Sequence, residues 1–198
     1  MFSPPTFKAK VITFQEWPQE NFSAAPATYA FSRQPDQESL EYSAYENMLR
    51  SGLDYAGLTE IPLDEQPRFI VYFFIRYGEK QQLVSVPVYR YYPDPFFGYY
   101  GPWHWPYGMH SYGMYPQYVG DRIVPQNYLY ARLTIVIRDT HNLNAQGSPR
   151  SVYETTAITQ SDEMTMLELF PLMVQAAFSS FPAENGSERI VSLPIKSR

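Results

Sequence analysis

A chain of 198 residues, 44% apolar and 18% charged, has the size and composition of one globular domain with a proper core. A net charge of −5 argues against a nucleic-acid partner, which needs a basic face, and no basic run suggests docking on anionic lipid. The absence of cysteine excludes disulfides, thiolate metal sites and a cysteine nucleophile, and no apolar stretch is long enough for a membrane-spanning helix.

Phe7–Phe14 alternates, with Phe7, Ala9 and Val11 on one face and Lys8 and Lys10 on the other, which predicts a half-buried strand. Ala27–Ser32 reads as a second short strand and as the partner of the first. From about Asp36 to Ala56 the residues Tyr45, Met48, Leu49, Gly52 and Leu53 form one helical stripe, with Gly57 as the stop. Arg68–Gly78 is apolar on both faces and predicts a central strand. Gly78–Gln81 then reads as a hairpin turn, and Gln82–Tyr92 as a returning strand. Pro87 within it removes a ladder donor and places it at an edge or a bulge.

Tyr128–Thr140 gives the clearest alternation, with Leu129, Ala131, Leu133, Ile135 and Ile137 pointing one way. Arg150–Gln160 predicts the strand that returns beside it. Ser161 stands as the N-cap of a second helix carrying Leu167, Phe170, Val174 and Phe178 at helical spacing. Asn185-Gly186 turns the chain into a last strand over Arg189–Ile195. The order predicts an α+β fold: a mostly antiparallel sheet, two helices packed on one face, and a long Tyr/Gly/Pro-rich insertion. Residues 1–198 make one domain, and residues 91–127 are its aromatic-rich insertion.

That insertion is the anomaly of the chain. Between Tyr91 and Tyr118 five prolines and four glycines interleave with Tyr, Trp and Phe, and Asp94 is the one residue of fixed charge. Such spacing suits neither a helix nor a regular strand. Trp103, Trp105, Tyr107, Tyr112 and Tyr115 are the candidate binding residues, since such rings stack on sugars or pack against proteins. The blander alternative is that they cover an open sheet edge.

Nothing else points to chemistry. Asp54, Glu60, Asp64 and Glu65 fall in or beside polar loops, where a solvated carboxylate is the default. His104, His110 and His141 all sit in predicted loops, without a G-x-S-x-G turn or a third metal ligand at the right spacing. No catalytic residue, metal site or cofactor is predicted.

Several stations of the sequence resemble the Gram-negative lipoprotein family known as domain of unknown function 4136. They are Thr28-Tyr29-Ala30-Phe31, Ala56-Gly57-Leu58, Phe69–Tyr72 and Leu133–Asp139, followed by Val152-Tyr153-Glu154, Phe181-Pro182 and Val191–Pro194. Tyr153 departs from the pattern, since many relatives carry a Trp in that strand. The resemblance implies an outer-membrane protein facing the periplasm, held by a lipid anchor on a cysteine ahead of this sequence. Met1–Thr6 carry neither a basic nor an apolar leader segment. On this reading the protein is a non-enzymatic envelope lipoprotein, an interaction or scaffold module working through its aromatic loop. Its partners are other envelope proteins or cell-wall glycan, and the membrane is reached only through the anchor. The alternative is a glycan-binding module, for peptidoglycan or lipopolysaccharide, or a cryptic glycan-active enzyme.

Overall fold

The structure is a computed structural model that describes residues 6–17, 27–33, 39–93, 114–182 and 184–195, without the side chains of 92, 93, 114 and 115. Among these residues two helices and seven strands follow one another: β1 (Thr6–Gln15), β2 (Thr28–Phe31), α1 (Leu40–Tyr55), β3 (Thr59–Glu60), β4 (Phe69–Pro93), β5 (Met114–Leu143), β6 (Pro149–Ser161), α2 (Met166–Phe178) and β7 (Ser187–Pro194). The strands form one sheet in the order β3-β2-β4-β5-β6-β1-β7.

The expectation of a mostly antiparallel sheet is corrected. The sheet is mixed, because β2 runs parallel to both β3 and β4. The cause is α1, which stands between β2 and β3 as a crossover and returns the chain to the end it left, as parallel pairing requires. β2 therefore does not partner β1. Its register runs Tyr29↔Phe69 to Phe31↔Val71, while β1 lies between β6 and β7 and is antiparallel to both.

A second correction concerns residues 78–81. They form no turn, and β4 passes straight through them. Gly78 has no positive φ of the kind a tight hairpin favours. The edge placement inferred from Pro87 has a direct counterpart: β2 leaves β4 at Val71, so Pro87 lies where β4 has only β5 beside it among the described residues. β4 and β5 are antiparallel, since Arg68 O accepts from Thr140 N and Gln81 Nε2 donates to Asn127 Oδ1, one number rising as the other falls.

Contacts divide the chain into two units, one of Met1–Lys80 with Tyr128–Arg198 and one of Gln81–Asn127. The core of the first is the face that alternation assigned. Val11, Phe69, Val71, Leu133, Ile135, Ile137 and Ala157 are fully buried beneath Leu49 and Leu53 of α1 and Leu169, Phe170 and Met173 of α2. Tyr42 stacks on Phe73 with ring centroids 4.4 Å apart, and its hydroxyl donates to the Phe73 carbonyl. Tyr45 meets Phe170 at 4.6 Å.

Local signals explain where the helices begin and end. Ser39 caps α1, its Oγ accepting from Tyr42 N at 3.1 Å. At the other end Gly57 takes φ +80°. Its N–H bonds Asp54 O, and Leu58 N bonds Leu53 O, which is the Schellman arrangement with its apolar contact between buried Leu53 and Leu58. The second N-cap is Thr165 and not Ser161. Glu168 Oε2 reaches back to Thr165 N at 3.0 Å, while Ser161 Oγ takes the amides of Glu163 and Met164 in a preceding turn. Both residues suit a cap, but the first apolar face position, Met166, follows Thr165 directly.

Candidate functional site

The second unit is built from the ends of β4 and β5, residues 81–93 and 114–127. The aromatic stretch is thus partly regular strand: Tyr91 and Tyr92 lie in β4, within the strand expected over Gln82–Tyr92, whereas Met114–Tyr118 lie in β5, against the expectation of irregular chain. β6 pairs with β5 only from Leu129 onward, so among the described residues the ribbon is two-stranded.

Its side chains are unusual for such a ribbon. Leu83, Val86, Tyr89, Tyr91, Tyr118, Val119 and Ile123 are all exposed, Leu83 and Ile123 each 68%. Single exposed apolar residues are ordinary, but so many on one two-stranded ribbon, divided between its two faces by strand alternation, mark a contact surface. Tyr89 and Tyr118 meet edge to face at 6.0 Å across the strands. The Tyr118 hydroxyl donates to Asp121 Oδ1 at 2.9 Å, and that bond to a carboxylate raises its pKa. Gly120, at φ +136°, gives the backbone a conformation open to few other residues. Pro87 and Pro125 remove donors from the ribbon's ladder. Proline on an edge blocks pairing with a further strand, which turns the available contacts toward the faces of the ribbon.

Of the candidate residues read from the sequence, Trp103, Trp105, Tyr107 and Tyr112 lie outside the described residues, as do His104 and His110. Tyr115 is in β5, with its side chain outside the description. The predicted solvated carboxylates are found at the surface: Asp54, Asp64 and Glu65 are exposed, and Glu60 accepts from Arg50 Nε and Nη2 at 2.6 and 3.0 Å. Asp139 is buried, accepts from His141 N at 2.9 Å, and has Arg68 Nη2 at 3.8 Å. Among the described residues no group of three or more His, Asp or Glu is placed to hold a metal, and no helix is long and apolar enough to cross a membrane.

The sequence did not reveal an ion pair that ties a buried carboxylate in the middle of α1 to the chain after β2. Glu46 is 2% exposed and takes a two-pronged bond from Arg33, Nε to Oε1 at 2.7 Å and Nη2 to Oε2 at 2.6 Å. The available signal was its position next to Tyr45 on the buried stripe. Nearby, the Tyr29 hydroxyl is fully buried and its pKa is raised, first by burial and then by the carboxylates of Glu60 and Asp54. A cleft of about 530 Å³ opens between α1, α2 and β7, lined by Gly52, Tyr55, Val174, Phe178 and Leu193 among others. Among the described residues no charged side chain lines it.

No curated protein matches the sequence. Among solved structures, a PDZ domain protein from Parabacteroides distasonis ATCC 8503 is similar at 16% identity and a TM-score of 0.53, over 94% of this chain and 38% of that one. The chain thus spans well under half the length of that relative, and the likeness is one of fold. A dodecamer of PelC from Paraburkholderia phytofirmans is similar at 11% identity and a TM-score of 0.43, over 86% of this chain and 95% of that one. The profile of the domain of unknown function DUF4136 matches residues 11–183. With that match covering most of its length, the chain belongs to the DUF4136 family.

Proposed function

We propose that the protein is a non-enzymatic interaction module that presents the β4–β5 ribbon, with the aromatic-rich sequence between its strands, to a partner protein. The observation that carries this reading is the set of exposed apolar side chains on residues 83–91 and 118–123. A two-stranded ribbon has little independent stability in water, so apolar groups held out along one are costly unless a partner covers them. The first unit serves as the platform, since the core cluster draws on no residue of Gln81–Asn127.

The place of work in this proposal is the periplasmic face of the outer membrane, with a lipid anchor ahead of the sequence. The resemblance of its motifs to Gram-negative lipoproteins supports it. Labelling of the full-length gene product with a radioactive fatty acid, followed by membrane fractionation, tests the anchor. Excising Leu83–Ile123, the stretch that holds all of these side chains, and closing the strands with a two-residue turn tests the ribbon. Partner capture from the periplasm is expected to vanish while the melting midpoint stays where it was. Undiminished capture removes the ribbon from this role.

A further inference from the structure

The helices cover one face of the sheet in the first unit, and the other face carries a charge pattern that no linear run of the sequence shows. Counting outward positions of β1 and β4–β7 there, Lys8, Lys10, Arg76, Lys80, Arg132 and Arg138 stand against Glu154 and Glu188 alone. This is an excess of positive charge on a chain whose net charge is −5. The registers show how it arises. Arg132 faces Ile158 on β6, Ile158 faces Lys10 on β1, and Lys10 faces Ile190 on β7, which makes one row across four strands. Alternation puts every second residue of a strand on this face, so cations separated by long stretches of sequence come to share it.

The face also carries rings and aliphatic groups among the cations. Lys80 Nζ lies 4.2 Å from the Tyr130 ring centroid, and Arg138 lies 5.0 Å from that of Tyr72. Phe14 is 56% and Ile190 76% exposed. Lys10 pairs with Glu188 at 2.8 Å, whereas Lys8, Arg76 and Arg132 have no acidic partner among the described residues. A second copy of the chain packed face to face would set cation against cation. Cations on apolar stems beside amphipathic rings instead match a membrane–water interface, where the charges meet phosphate and the rings lie at headgroup depth.

We propose that this uncovered face docks on an anionic phospholipid surface. The test is co-sedimentation of the full chain with vesicles of phosphatidylcholine containing phosphatidylglycerol, against vesicles of phosphatidylcholine alone, at low and high salt. The partner variant is the triple substitution Lys8→Gln, Arg76→Gln, Arg132→Gln, at exposed sites remote from the core, with its melting midpoint as the control for folding. Binding is expected to the anionic vesicles only, to weaken with salt, and to fall on the order of a hundredfold in the triple variant, from about fivefold per charge. Equal binding to both vesicles, or binding that survives the three substitutions, overturns the proposal. Capture of soluble polyglutamate with no binding to vesicles overturns it in favour of an acidic protein.

Discussion

At Gly52 the two helices approach so closely that a β-carbon would stand 2.5 Å from Val174 Cγ1 and 2.7 Å from Phe178 Cδ2. Gly52→Ala forces α1 and α2 apart or drives Phe178 from its rotamer, and overpacking of this kind costs about 1–3 kcal/mol. Urea unfolding is expected to show that loss; an unchanged midpoint would mean the helices separate freely. Tyr29 and Tyr45 give the chain a pH dependence on the alkaline side. Burial lifts both hydroxyls above the ordinary tyrosine pKa of 10.0, and for Tyr45 the bond to Glu41 at 2.8 Å adds to the effect. A folded-state pKa above the unfolded one contributes stability that is fully present below 10.0 and is lost as pH rises beyond it. Urea midpoints measured between about pH 8 and 11 should hold steady at first and then fall. A flat profile contradicts the burial of these hydroxyls. Tyr153 is an aromatic hub of the core. It lies 5.0 Å from Phe181 and 6.2 Å from both Trp17 and Phe178.

Among the elements, strands that alternate were legible and strands that do not were misread. Ala131, Leu133, Ile135 and Ile137 of β5 are all fully buried, as period-two spacing required. β4 was divided in two because Gly78-Glu79-Lys80-Gln81 has the composition of a turn. Composition permits a turn without enforcing one, and pairing with β5 overrides it. The parallel placement of β2 was invisible because its four residues carry no mark of which strand they will join. Ring content marks the candidate binding residues as a region of the sequence and no spacing rule places them further; Trp103, Trp105, Tyr107 and Tyr112 lie outside the described residues. The ion pair of Arg33 and Glu46 belongs at this scale too, because it ties the chain after β2 to α1. Arg33→Ala leaves a buried carboxylate without its two-pronged donor, and the expected loss is about 1.5–3 kcal/mol. Thermal unfolding of that variant checks it, and an unaltered midpoint would show that Glu46 is hydrated in place.

For the molecule as a whole, a mixed sheet covered by helices on one face keeps its core closed while two of its strands continue into an exposed aromatic ribbon. On the proposed function, stability and recognition then reside in different residues. Substitutions at Leu83, Tyr89 or Ile123, at 68%, 52% and 68% exposure, are expected to leave the melting midpoint within about 0.5 kcal/mol of the parent, as surface changes do. The most direct test of the division is site-specific photo-crosslinking in the intact cell. A photoreactive residue at Tyr89 or Tyr118 is to be compared with one at Leu40, which is 92% exposed at the start of α1. The ribbon as working surface predicts a discrete protein adduct from Tyr89 and Tyr118 and none from Leu40. Adducts from Leu40 alone, or the same products from all three positions, would contradict it.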